Sequence, residues 1–408
     1  MTQPAAVTDL STPLPALEEI TLWVERSALS DASSQALIAG LAERLRAAGI
    51  PLSRMTAMVD TLHPVHEGSV YRWVDGDEGA TVFNYGRDYD VAGWQATAYY
   101  HLERTGLPAY RERLHPGTEP ALATLAEFRD GGYRDYMVVV ERFDAGAVGE
   151  MTCIYTSWMT RAPEGFSEAA IATIRRLSPV VALALKCQAL HGISATIAET
   201  YLGREAGAQV MRGRILRGVA SEIEAVLWSS DLMGFTALSE ALPPAELIPF
   251  LNTYGGALVE AIHGAGGDVL KFMGDGILAI FPVDGDPAAA CRTALAAERD
   301  ARRRVAEVNR ARAEAAERTT DFYLALHLGR VYFGNIGSPD RLDFTVIGPA
   351  VNEASRIMAL CGSVRRPLLL SARFAETLTA AGEELPLASV GRFALKGVSE
   401  AQHLYTLA

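Results

Sequence analysis

The stretch LKFMGDGILAIF, residues 270–281, sets two apolar runs around a Gly-Asp-Gly turn. Asp-Gly between apolar runs is the strongest short-range hairpin signal. Strands are therefore predicted over residues 268–273 and 277–281, with Asp275 at the turn. As a residue type in that place, Asp275 is first of all a turn former. Lys271 stands apart, because the rest of both runs is apolar. A lysine in a buried strand needs a partner. The alternative is an edge position with its amine in solvent.

Upstream lies SSDLMGFT, residues 229–236. A predicted strand over 223–230 runs into Asp231, and Gly234 turns the chain into a helix. A helix N-terminus with free amides binds phosphate, and a carboxylate at a strand end can hold a divalent cation beside it. An Asp in that place is more often a cap or turn residue. Downstream lies FTVIGPAVNEASRIM, residues 344–358. A short strand over 344–347 precedes a helix that Pro349 opens. Asn352 and Arg356 are spaced i, i+4, on one face of that helix. Together they suit an oxyanion or phosphate clamp, or a surface hydrogen-bond pair. Around these motifs the pattern predicts helices over 243–264 and 287–317 and a strand over 322–328. A strand over 368–371, a short helix and two final strands end the chain. Strands and helices mix without strict βαβ repetition, which predicts an α+β sheet covered by helices.

In order, spacing and context, the three motifs resemble the catalytic domain of the class III adenylate and guanylate cyclases, over residues 223–408. The resemblance implies a ferredoxin-like sheet, a head-to-tail homodimer, and two active sites at its interface. It implies a purine nucleotide substrate, expected to be ATP from the base-reading residues below, and two divalent cations, Mg²⁺ or Mn²⁺. Asp231 and Asp275 match the metal-binding aspartates, with Leu232 beside them in the metal set. Lys271 matches the residue that reads the purine, and Thr345 its second reader. Asn352 and Arg356 match the pair that orients the ribose and stabilises the transition state. Lys396, in FALKGVSE, is similar to the lysine that reaches the triphosphate. The backbone of residues 232–236, including Phe235 and Thr236, matches the cradle of the β- and γ-phosphates.

Two positions depart from the family pattern. Thr345 stands where many members have Asp, as in the subgroup that includes bicarbonate-responsive cyclases. Ser229 stands where the family often has a large apolar residue, and Trp228 is expected to supply that bulk. A Thr hydroxyl accepts from the adenine amine, and Lys271 donates to adenine N1, so the expected product is cyclic AMP. Guanine offers an N1–H donor and an O6 acceptor, and its reader calls for a carboxylate. A guanylate cyclase is therefore the nearer rival. A catalytically inactive cyclase-like binding module is the other, although such copies lose metal or transition-state residues that this chain retains.

The first half of the chain has another texture. Residues 1–50 read as a flexible tail and N-terminal helices. Residues 51–190 read as an α+β module, with strands over 68–73, 80–85, 136–143 and 150–158 and a helix over 120–129. Ser167 opens the helix in GFSEAAIATIRRL, which Pro179 is expected to kink. The module resembles a GAF-type sensor domain, and that implies a small-molecule effector. Residues 191–218 read as a helical connector with Gly203, Ala206 and Gly207 on it. It is either a spacer or a coupling element before the catalytic domain at 219–408. His63, His66, His101 and His115 are not ligand-spaced, so neither haem nor metal is predicted there.

Composition bounds the rest. A net charge of −12 and a pI near 5.2 argue against nucleic acid and anionic membrane as bulk partners. The four cysteines, Cys153, Cys187, Cys291 and Cys361, form no CxxC pair, which predicts neither disulfides nor zinc. The N-terminus lacks a basic start followed by an apolar run, and no bilayer-length span is predicted. The expected location is the cytoplasm.

Overall fold

A computed structural model describes residues 14–30, 32–86, 90–143, 151–216, 218, 220–398 and 400–408. The expected tail at residues 1–13 lies outside the described residues. The chain divides into two units, Met1–Ile197 and Ala198–Ala408.

In the first unit six strands form one antiparallel sheet. They are β1 (Arg54–Asp60), β2 (Gly68–Val74), β3 (Ala80–Tyr85), β4 (Ala109–Arg113), β5 (Asp135–Arg142) and β6 (Cys153–Thr160), in the order β3-β2-β1-β6-β5-β4. Side chains alternate between the two faces. One face carries Met55, Trp73 and Trp158 against Ile20, Leu37, Leu41 and Ile174 of three helices, Leu17–Ala28, Ser34–Ala47 and Glu168–Leu202. The other carries Tyr136, Val138 and Met159 under Leu102 of the helix Ala98–Thr105. The sequence reading did not include β1 or β4. Strand β4 reads AYRER, and its charges hide the alternation that would reveal it. The helix expected over 120–129 forms only toward its end, as a 3₁₀ turn at Ala123–Leu125 and the helix Ala126–Asp130.

Ser167 caps as expected: its Oγ accepts from the Ala170 amide at 3.2 Å. The helix that follows does not break at Pro179 and runs to Leu202, 35 residues in all. Proline removes one backbone hydrogen bond, but burial of Ile174, Leu177, Val181 and Leu185 on both sides of it holds the turns together. This helix also corrects the membrane expectation. It is long and apolar enough to cross a bilayer by length and composition, although those four residues are spent in the core of the first unit.

The second unit has eight strands: β7 (Ala220–Leu232), β8 (Asp268–Met273), β9 (Gly276–Pro282), β10 (Phe322–Ser338), β11 (Arg341–Ile347), β12 (Leu368–Ser371), β13 (Leu387–Phe393) and β14 (Gln402–Leu407). Their order is β13-β14-β12-β10-β7-β9-β8, and β11 pairs with β10. Among the described residues only β10 and β12 run parallel. Trp228 and Phe281 pack on one face against Phe250 and Tyr254 of the helix Pro244–Gly264, Leu295 of Pro287–Glu314 and Phe374 of Ala372–Ala380. Leu227, Ile280 and Val331 pack on the other against Ala354 of the helix Pro349–Val364. Trp228 does fill the core beside Ser229: it is fully buried, and its Nε1 donates to Ser230 Oγ at 2.9 Å. Strand β10 runs ten residues past the predicted 322–328, because it pairs with β7 along its first part and with β11 along its last.

The helix Arg204–Met211 is tied to this sheet. The amides of Arg204 and Glu205 donate to the Asp268 carboxylate at 3.1 and 3.3 Å. Gly203 stands at φ +87°, and a Cβ there would lie 2.6 Å from the Val269 carbonyl oxygen. Midway along its length the connector therefore meets the first residues of β8, the strand that carries Lys271.

Candidate active site

Strand β7 is buried from Ala225 to Ser230 and reaches the surface at Asp231. Gly234, at φ +67°, turns the chain into the helix Phe235–Ala241, which has no side-chain cap at its N-terminus. The amides of Phe235 and Thr236 thus open a helix that the protein's own side chains do not cap. The neighbouring β8–β9 hairpin closes where the Asp-Gly signal put it, with Met273 opposite Gly276 and Gly274 at φ +70°. Gly276 lets it close tightly, since a Cβ there would sit 2.8 Å from the Ser230 carbonyl oxygen and 3.3 Å from Asp231 Oδ1.

That closeness joins the two aspartates. Asp275 Oδ2 accepts from the Leu232 amide at 3.1 Å. Burial pushes the Asp231 carboxyl up to about 7, and the hydrogen bond and charge of Asp275 push it the same way. Two carboxyl groups set this close, with the Asp231 carboxyl pushed up, are a hard-oxygen donor set with an unmet demand for positive charge. Among the described residues no cluster of three or more His, Cys, Asp or Glu completes a cage. A cation here would draw its other ligands from the main chain near Leu232, from water and from phosphate. The residues present fit such a cation.

Lys271 resolves differently from either sequence alternative. Strand β8 is the sheet edge, and its Phe272 and Met273 are exposed. The amine is nevertheless paired, donating to Asp343 Oδ2 at 2.9 Å. Asp343 did not emerge from the sequence. Its one local signal is the i, i+2 spacing to Thr345, which places both on one face of β11. Thr345 itself is 5% exposed, and its Oγ1 has no partner.

Asn352 and Arg356 share a face of the helix Pro349–Val364, Asn352 exposed and Arg356 half-buried. A Cβ at Gly397 would lie 3.1 Å from an Arg356 guanidinium nitrogen. The fold thus sets Arg356 against the residue that follows Lys396, which is exposed. Among the described residues no hydrogen bond or ion pair links the Asp231–Asp275 pair to Asn352, Arg356 or Lys396 within one chain.

Residues 221–408 match the family model of the adenylate and guanylate cyclase catalytic domain. An adenylate cyclase of Anabaena cylindrica is 35% identical over 143 residues, 35% of this chain and 28% of that protein. The terminal-differentiation-specific adenylate cyclase of Dictyostelium discoideum is 30% identical over 180 residues, 44% of this chain and 8% of that protein. The chain thus spans less than a third of either relative. Among solved structures, the adenylyl cyclase CyaB from P. aeruginosa is 25% identical, with 47% of this chain and 96% of that chain covered and a TM-score of 0.42. On the family match, residues 221–408 are a catalytic domain of the class III adenylate and guanylate cyclase family.

Proposed function

We propose that this chain is an adenylate cyclase that converts ATP to 3′,5′-cyclic AMP and pyrophosphate at sites shared by two copies. The observation that carries the choice of base is the purine-reading pair. Asp343 already answers one N–H of the Lys271 amine, so the carboxylate is engaged and the amine keeps donors for adenine N1. The buried, unpartnered Thr345 oxygen suits the adenine amine, which would satisfy it. Both relatives above carry the name adenylate cyclase.

The roles follow from charge. Asp231 and Asp275 would hold two divalent cations, with the main chain of Leu232 beside them. When bound, these ions lower the pKa of the ribose 3′-hydroxyl and neutralise the triphosphate. The 3′-oxygen bonds to the α-phosphorus as the bond to the pyrophosphate oxygen breaks. The hydroxyl proton leaves to water or to the substrate's own phosphates. Asn352 orients the ribose, and Arg356 faces charge growing on the α-phosphoryl oxygens. Lys396 and the backbone of residues 232–236 hold the phosphates. Phe272, Met273, Tyr332 and Ile347 are large apolar side chains left exposed on β8, β10 and β11, which suits coverage by a second copy. The first unit reads as a GAF-like sensor of a small molecule.

Asp343 also supports a second reading. A carboxylate beside Lys271 can accept from guanine N1–H, which the sequence alone did not offer, so a guanylate cyclase is the alternative. Incubation of the purified protein with ATP or GTP and Mg²⁺ or Mn²⁺, with identification of the cyclic product, decides between them. Cyclic GMP as the main product overturns the adenylate assignment, and no product from either nucleotide leaves a binding module.

A further inference from the structure

We infer that the first unit binds a small, flat organic anion between its sheet and its short helices, with Arg54 and Arg72 as the partners of the oxyanion. Strand register builds the site. Thr56 stands opposite Arg72 on β2 and opposite Ser157 on β6, so the three side chains form a row across the sheet. Arg54, two residues before Thr56, shares that face. The Tyr99 hydroxyl donates to Ser157 Oγ at 3.2 Å, which puts the row under the helix Ala98–Thr105.

Both arginines lack an answering charge. Among the described residues neither makes an ion pair, and the Nε of each is buried without a partner. Thr56, next to both, is 6% exposed, and its Oγ1 also has no partner. Burial first, and the charge of Arg54 second, hold the Arg72 guanidinium below its usual value. Buried donors in native folds are almost always satisfied, and two like charges side by side repel. A bound anion offsets both costs. The guanidinium fork matches a carboxylate or a phosphate. The surroundings match a flat body: Trp94 stacks on Tyr99 at 6.0 Å, Tyr155 meets Tyr99 edge-on at 5.3 Å, and Arg54 lies 5.0 Å over Phe128.

This rests on reading the first unit as a sensor, and binding is measured without nucleotide so that the two can fail separately. The full chain is titrated calorimetrically with benzoate, phenyl phosphate, inorganic phosphate and, as a cationic isostere, benzamidine. Benzoate or phenyl phosphate should bind at one equivalent per chain, and the tighter of the two names the oxyanion. Arg54→Gln and Arg72→Gln should each weaken binding by about tenfold or more. Thr56→Val, which keeps both charges, should weaken it by a smaller factor. Without anion, Arg72→Gln should melt at the wild-type temperature or above, because it removes a repulsion. The proposal fails if neither aromatic anion binds, or if benzamidine or inorganic phosphate binds as tightly. It also fails if the arginine variants bind like wild type, or if Arg72→Gln lowers the anion-free melting temperature. Binding that leaves turnover unchanged supports the site and removes the sensor reading.

Discussion

Asp231 keeps its proton to about pH 7 because the strand end is half-buried and a second carboxylate stands beside it. The sign of the consequence is fixed by linkage. The folded carboxyl holds its proton more tightly than the unfolded one, so this group stabilises the metal-free fold at acid pH. That contribution is lost as pH rises from about 4 through about 7. The melting temperature of the EDTA-treated wild type minus that of Asp231→Asn should therefore fall across this window. Mg²⁺ or Mn²⁺ should restore it above pH 7 in the wild type only. A difference that does not change with pH would show that the fold does not raise the Asp231 carboxyl. Under the cyclase reading, Asp231→Ala should cut turnover by roughly a hundredfold or more, since bound metal supplies several kcal/mol to the transition state. Activity within a few-fold of wild type would remove Asp231 from the metal site. Under the adenylate reading, Asp343 acts on the substrate only through Lys271. Their pair is partly exposed, at 35% and 59%, and such pairs contribute about 1 kcal/mol or less to stability. Asp343→Asn should leave the melting temperature nearly unchanged. It should raise KM for ATP by roughly threefold to tenfold with kcat within about twofold, because the amine loses its orientation and not its charge. A loss confined to kcat would place Asp343 elsewhere in the reaction.

The β8–β9 hairpin shows what an element adds to its residues. It carries Lys271 on one arm and Asp275 at its tip, and Gly276 sets how closely it meets β7. In Gly276→Ala the new methyl would meet the Ser230 carbonyl oxygen at 2.8 Å. That contact is with backbone, so the hairpin has to move, at a cost of about 1–3 kcal/mol. The melting transition should drop, and turnover should fall further than stability alone explains, because Asp275 moves away from Asp231. An unchanged melting temperature would show that the tip slides freely. This element was legible in LKFMGDGILAIF because Asp-Gly between apolar runs is a local signal. The i, i+4 placement of Asn352 and Arg356 was legible for the same reason. Lateral contacts were not. The Lys271–Asp343 pair joins residues 72 apart in the chain, and Arg356 meets Gly397 across two elements. Strand β4 was invisible because Arg111 and Arg113 face partners on other elements, Asp135 and the carbonyls of Pro163 and Glu164, and so break its apolar pattern. The length of β10 was hidden because pairing with β11 sustains its polar last third.

At the scale of the molecule, the proposal draws each site from two copies of the chain. Asp231 and Asp275 form one group, while Asn352, Arg356 and the segment at Lys396–Gly397 form another, and no bond described above joins them. If two copies meet head to tail with two-fold symmetry, each site takes its aspartates from one copy and its Asn352 and Arg356 from the other. The test combines Asp231→Ala with Arg356→Ala, each nearly inactive as a homodimer. In a mixed dimer one site collects both lesions and the other collects neither. Random exchange makes about half of all dimers mixed, each with one intact site of two, so activity should return to roughly a quarter of wild type. Co-expression with two different tags and isolation of the doubly tagged dimer removes the dependence on exchange and raises the expected recovery to about half. If one chain supplied a whole site, every site in the mixed dimer would carry one lesion and nothing would be rescued. A doubly tagged dimer as inactive as its parents would therefore place the aspartates and Arg356 on the same side, and the gap between the two groups would have to close by movement within a single chain.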